Sequence, residues 1–216
     1  MQPFDAYLFD MDGTITETFE PWLEIVRDTL SKYQITADTP TIIRKVFGNA
    51  NAGLVDLGVP VGDLPDIFAE WDNRAEVSMR QVVLYPDVKR VLMTLKRQGK
   101  KLGLITATVR PTVEIILSAH GLHELFDVTV TGDELTTPKP DPAGLLYALD
   151  QMQVSTERAV MLGDSEKDIR AANNAGLASV LFFPPSHEVF HNLEELQADS
   201  PTYTIASWNE LLKQLD

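Results

Sequence analysis

The chain has 216 residues, 44% hydrophobic and 23% charged, and its 32 acidic against 18 basic residues leave a formal net charge of −14. That suffices for one sizeable core, or a core with a small insert, and so acidic a surface repels nucleic acid polymers and anionic lipid. The absence of cysteine excludes disulfide frameworks, zinc–thiolate sites and cysteine nucleophiles. With no signal-like N-terminus and no apolar run fit to span a bilayer, the expectation is a soluble cytoplasmic protein, monomer or homodimer, with no membrane partner.

The run Ala6-Tyr7-Leu8-Phe9-Asp10 reads as a short buried strand that stops at Asp10-Met11-Asp12-Gly13-Thr14. From Glu20 to Gln81 the pattern is helical. Trp22, Ile25, Val26, Thr29, Leu30 and Tyr33 follow i, i+3, i+4, i+7 spacing, with Pro21 in a first turn, and Leu64, Ile67, Phe68 and Trp71 continue it. Between them the stretch from Gly48 to Gly53 reads as a loop or helix break. After Tyr85-Pro86 the texture alternates. A helix runs through Val88, Val91, Leu92 and Leu95, then come a strand over 102–106, a helix over 112–120 and a strand over 128–131. A helix over 142–152, a strand over 159–162, a helix over 168–175 and a strand over 178–183 follow. A last helix starts at the capping-box pair Ser207 and Glu210.

Alternating strands and helices predict an α/β class with right-handed crossovers and a parallel, Rossmann-like sheet. The long helical stretch after the first strand exceeds what a loop in a compact domain accommodates. Residues 1–15 and 83–216 are therefore expected to form the core, and 16–82 an inserted helical cap.

In a parallel sheet all strand C-termini share one edge, so Asp10 with Asp12, Thr106, and Asp164 with Asp168 can meet there despite their separation in sequence. A carboxylate such as Asp10 can attack phosphorus. Asp10 and Asp164 together suit Mg2+, a hard cation that takes oxygen ligands. Asp12 is placed to protonate a leaving alkoxide and later take a proton from water. Gly13 permits a sharp backbone exit, and Thr14 and Thr106 offer hydroxyls. Lys139, held between Pro138 and Pro140, supplies positive charge on a stiffened loop. Each residue also has a plainer reading: Asp12-Gly13 as a turn, Thr106 as a strand-end hydroxyl, Lys139 as a solvated loop lysine, Asp164 as a helix N-cap, Asp168 as a complement to a helix dipole.

Together the motifs are more specific. DMDGT at 10–14, LITAT ending at Thr108, KPDP at 139–142 and GDSEKDIRAANNAG at 163–176 resemble, in order, the four motifs of the haloacid dehalogenase superfamily. The arrangement is most similar to its phosphoglycolate phosphatase and β-phosphoglucomutase relatives with a small α-helical cap. The resemblance implies that Asp10 is nucleophile and metal ligand, and that Asp12 is acid/base and binds Mg2+ through its carbonyl. It implies that Thr106 binds the phosphoryl group, Lys139 orients Asp10, Asp164 is a metal ligand, and Asp168 a ligand through water or an orienting group. Ala107 stands where many relatives carry Asn, and Ile15-Thr16-Glu17-Thr18 departs from the usual continuation of the first motif.

The expected activity is Mg2+-dependent hydrolysis of a small phosphomonoester metabolite through a phospho-aspartyl intermediate. A phosphomutase or a pyrophosphatase is the alternative within the superfamily. A phospho-receiver or a non-catalytic binding module is the alternative outside it. Gly13, Thr14, Ala107, Lys45 and Asn49 are candidate substrate contacts, with Arg44 and other cap cations beside them. The four histidines show no metal-ligand spacing and read as surface or packing residues.

Overall fold

The computed structural model describes residues 3–47, 49–135 and 137–215. Strand β1 (Ala6–Phe9) is followed by four helices: α1 (Phe19–Lys32), α2 (Thr39–Val46), α3 (Ala50–Leu57) and α4 (Leu64–Ser78). Helix α5 (Val88–Arg97) opens the alternating series. It continues with β2 (Lys101–Ile105), α6 (Arg110–His120), β3 (Val128–Val130), α7 (Ala143–Met152), β4 (Ala159–Gly163), α8 (Glu166–Ala175) and β5 (Ala178–Phe182). Helix α9 (Leu193–Gln197), β6 (Tyr203–Ile205) and α10 (Trp208–Leu215) close the chain.

The six strands form one sheet in the order β3-β2-β1-β4-β5-β6, and every pair is parallel. This is the α/β class expected from the alternation of elements. Side chains alternate faces along each strand. Tyr7, Phe9, Leu102, Leu104, Val160 and Leu162 turn to one face, where α5, α6 and α10 cover them. Ala6, Leu8, Ile105, Ala159 and Met161 turn to the other, under α7 and α8. Both faces being covered, the strands read as continuous apolar runs.

Helices α1–α4 enclose an apolar cluster of their own, built on Leu23, Ile25, Leu30, Ile42, Leu54 and Trp71. Trp71 also donates its indole N–H to Thr29 Oγ1 at 2.7 Å, so the stripe that predicted packing carries a satisfied polar group. The end of α4 belongs elsewhere: Ala75 and Met79 pack into the sheet-side cluster. The chain leaves for and returns from this segment side by side. Glu17 N–H donates to Val83 O at 2.9 Å and Tyr85 N–H to Ile15 O at 3.0 Å.

One local expectation is corrected. Residues 50–53 are helical, because the Asn49 side chain accepts from Ala52 N–H and caps α3. Glycine and asparagine there mark a helix start rather than a break, and Gly48 lies outside the described residues. The sequence pattern predicts neither strand β6 nor α9, the latter too short at five residues for a helical stripe to repeat. No described helix is long and apolar enough to cross a membrane.

Candidate active site

Strand β1 lies between β2 and β4, where the direction of strand succession reverses, the place ligands favour in open α/β sheets. Asp10, Thr106 and Asp164 each follow the last residue of β1, β2 and β4, so this edge brings them together. Asp10 extends the ladder by one step, its N–H donating to Leu162 O at 2.9 Å. The chain then turns tightly: Ile15 and Thr16 N–H both donate to Met11 O, and Gly13 N–H to Thr16 O. Gly13 has φ +76°, and a Cβ there would lie 2.5 Å from Asp164 Oδ2. Only glycine lets the turn and that carboxylate share the space.

Lys139 ties the edge together. Its Nζ donates to Asp10 Oδ1 and Asp168 Oδ1, each at 2.6 Å, and to Ile105 O at 3.0 Å. Burial works against its charge, but Asp10 and Asp168 outweigh burial and hold its pKa above the ordinary lysine value. The second oxygen of Asp168 accepts from Ser165 Oγ at 2.6 Å and Ser165 N–H at 3.2 Å. Ser165, not Asp164, is the N-cap of α8. Asp168 thus places one oxygen on the lysine and the other on the helix start.

Asp164 accepts from Thr14 Oγ1 on Oδ1 at 3.2 Å. Its Oδ2 lies 3.5 Å from His191 Nε2. Burial opposes its charge, yet His191 and Thr14 outweigh that, and its pKa lies below the usual carboxylate value. Asp12 accepts from Thr108 Oγ1 at 2.6 Å and, more weakly, from Thr106 Oγ1 at 3.4 Å, both on Oδ2. Its Oδ1 is buried without a hydrogen-bond partner among the described residues.

Four carboxylates thus gather at this edge, two of them on Lys139. Burial, with Asp168, Asp164 and Asp12 adding repulsion, pushes the Asp10 carboxyl well above the usual range despite the pull of Lys139. Asp10, Asp164 and Asp168 each offer an oxygen within 4.8 Å of the others. Hard oxygen donors with uncompensated negative charge fit a divalent cation such as Mg2+. The Asp12 side chain is not in this group; its carbonyl is the atom the motif resemblance assigns to the metal.

A cavity of about 690 Å3 opens over these acids, with Ala107 on its wall, a volume in the usual range for small-molecule sites. On the helical side Arg44 and Phe47 line it, and on the sheet side Lys167 and His191. Lys167 Nζ donates to Phe47 O at 2.9 Å and bridges the two sides. Lys45 and Asn49 are engaged elsewhere. Lys45 Nζ lies 3.7 Å from Asp56 Oδ2 and Asn49 caps α3; Arg44, the preceding position on α2, faces the cavity instead. Three participants escaped the sequence reading: Thr108, Ser165 and His191. Ser165 had a visible signal, the Ser-x-x-Asp capping pattern. Thr108 closes the second motif, but its contact to Asp12 is set by the turn after β2. His191 lies outside all four motifs.

The profile of haloacid dehalogenase-like hydrolases matches residues 7–182. A phosphoglycolate phosphatase of Colwellia psychrerythraea is 31% identical, over 100% of this chain and 98% of its own length. The pyrophosphatase PpaX of Bacillus velezensis is 29% identical over 96% and 94%. The crystal structure of CbbY from Rhodobacter sphaeroides in complex with phosphate superposes with a TM-score of 0.80 at 27% identity, covering 96% of each chain. With this edge of acids, lysine and threonines on a 3-2-1-4-5-6 sheet, the chain belongs to the haloacid dehalogenase-like hydrolase family, as a phosphatase similar to the phosphoglycolate phosphatases.

Proposed function

We propose that the chain is a Mg2+-dependent phosphatase that hydrolyses a small phosphomonoester metabolite through a phospho-aspartyl intermediate. The observation that carries this reading is the division of labour between Asp10 and Asp12. Asp10 Oδ1 is held by Lys139, which leaves Oδ2 to attack phosphorus. Asp12 Oδ2 is held by Thr108, which leaves Oδ1 to move a proton.

In the first half-reaction Asp10 Oδ2 bonds to phosphorus as the ester P–O bond breaks, and the leaving oxygen takes its proton from Asp12. In the second, water loses a proton to Asp12 as its oxygen bonds to phosphorus. The bond from phosphorus to Asp10 then breaks, releasing inorganic phosphate and restoring both carboxyl groups. Lys139 and the Thr106 hydroxyl offset charge that builds on the phosphoryl oxygens. Asp10 and Asp164, with the Asp12 carbonyl, would hold Mg2+, whose charge lets the phosphate dianion approach the acids. Asp168 acts here by holding Lys139. Residues 16–82 serve as a cap that closes over the phosphorylated metabolite, with Arg44 and Phe47 facing its leaving group.

Phosphate release from a panel containing 2-phosphoglycolate, sugar phosphates and inorganic pyrophosphate tests the reading. The panel follows the names of the relatives, and pyrophosphate distinguishes the activity for which the Bacillus velezensis protein is named. Activity should require Mg2+, and a hydroxylamine-labile phosphoenzyme should form on wild type and not on Asp10→Asn. Turnover by Asp10→Asn at the wild-type rate would overturn the assignment. Conversion of a hexose 1-phosphate to its isomer, with no free phosphate, would instead establish a phosphomutase.

A further inference from the structure

The segment after β5, residues 184–192, contributes to no motif, yet it places a histidine against the acids. His191 lies on the cavity wall, its side chain 13% exposed. Its Nε2 is buried with no hydrogen-bond partner among the described residues. Asp164 Oδ2 lies 3.5 Å from that nitrogen. The imidazole is confined from several sides. Phe19, on the first helix of the helical segment, meets it edge-on at 5.5 Å. Phe190 stacks on Phe19 at 4.5 Å, and His187, fully buried, pairs with Tyr85 OH at 2.7 Å.

A wall of phenylalanines would accept leucine or phenylalanine at position 191 without burying a polar nitrogen, which is unfavourable when unpaired. The imidazole has a reason to be there if it acts on Asp164. We infer that His191 is a positioning residue for Asp164: held by the Phe19–Phe190 stack, it keeps Oδ2 in place while Thr14 keeps Oδ1. The carboxylate is then presented to the cation in one orientation. Each carboxylate oxygen retains a second lone pair for the cation. Groups that orient ligating carboxylates in this way contribute strongly to metal affinity. Because Phe19 belongs to the helical segment and His191 to the sheet side, the same contact links the seating of that segment to the alignment of Asp164. The inference rests on the Mg2+-dependent reading above.

The test is metal affinity, measured without substrate by Mn2+ titration of the full chain, following the electron paramagnetic resonance signal of the free ion. His191→Phe keeps a ring without a nitrogen, His191→Leu gives a smaller apolar side chain, and His191→Gln returns an N–H donor without the ring. The expected result is a ~10- to 100-fold weaker Mn2+ affinity for the Phe and Leu variants, with His191→Gln within about threefold of wild type. The Mg2+ concentration for half-maximal activity should rise in parallel, while kcat at saturating Mg2+ stays near wild type. Thermal melting without metal identifies any variant that fails to fold, and the remaining apolar variant then decides. Wild-type affinity in a folded Phe or Leu variant overturns the inference. Equal weakening in Gln, Phe and Leu also overturns it, because the contact would then be packing alone. Absence of Mn2+ binding by wild type would overturn the metal-dependent reading instead, so the two failures are distinguishable.

Discussion

The edge of the sheet and the helical segment above it are held in different ways. At the edge, polar groups hold one another: Lys139 joins Asp10 and Asp168, Thr14 and His191 flank Asp164, and Thr108 fixes Asp12. In the segment, apolar side chains mostly hold one another, and among the described residues it meets the edge through the aromatic contacts of Phe19 with Phe190, His187 and His191 and through the Lys167 bridge to Phe47 O. Such a network demands particular residue types at fixed positions. An apolar cluster demands only volume and pattern, which leaves its cavity-facing residues free to vary with the ligand.

Lys139→Met should strain this contrast most. It leaves Asp10 and Asp168 buried without their cation, and breaking a buried pair from one side costs about 3–5 kcal/mol. Urea denaturation without metal should show that loss, and phosphate release should fall by about 10^3-fold or more. A stable, active Lys139→Met would mean that the edge is not cross-held as described.

A second comparison pairs Leu8→Ala with Leu54→Ala. Both leucines are fully buried, one between the sheet and its helices, the other within the helical cluster. Each truncation should cost about 2–5 kcal/mol locally. Hydrogen exchange should separate them. Leu8→Ala should speed exchange throughout the sheet, whereas Leu54→Ala should speed it in α1–α4 and spare the strands. Uniform acceleration in both would show that the segment and the sheet unfold as one unit.

The same contrast explains what could be read before the structure. Asp10, Thr106 and Asp164 meet because each follows a strand, and parallel strands end at one edge; strand-end positions and the alternation of elements carry that information. The helical segment was legible as helices, since its apolar stripes repeat over several turns. Which of its cations faces the cavity was not. Arg44 and Lys45 are adjacent, and the roughly 100° between neighbours on a helix turns one to the cavity and the other to Asp56. His191 was illegible for another reason. Its partner, Asp164, is distant in sequence, and a 3-10 turn at Pro185–Val189 leaves no periodicity to orient it.

His187 offers a pH test of the junction between the two regions. Burial pushes its pKa down to about 4 from an ordinary 6.5. Between those values the unfolded chain binds the proton and the folded chain does not, so stability falls as pH drops from about 6.5 toward 4. From pH 7.5 to 5 this one group should cost about 2 kcal/mol. His187→Gln, compared with wild type by urea denaturation at both pH values, should remove that part of the loss. An identical pH dependence in the two proteins would show that the ring is not held neutral.

Arg44→Ala should have the smallest effect and bears most directly on the division between chemistry and recognition. Arg44 lines the cavity from α2, and among the described residues its guanidinium makes a long hydrogen bond to Thr41 Oγ1 at 3.5 Å and acts on the Asp38 carboxylate. Losing a contact of about 1 kcal/mol to the leaving group should raise KM ~5-fold and leave kcat nearly unchanged, the signature of binding shared by ground and transition states. With p-nitrophenyl phosphate, whose aryl leaving group carries no carboxylate or second phosphate to pair with a guanidinium, the same variant should match wild type. A fall in kcat on both substrates would place Arg44 with the reacting groups. On the proposed reading, the boundary between reacting groups and substrate-selecting helices would then run through α2 rather than beneath it.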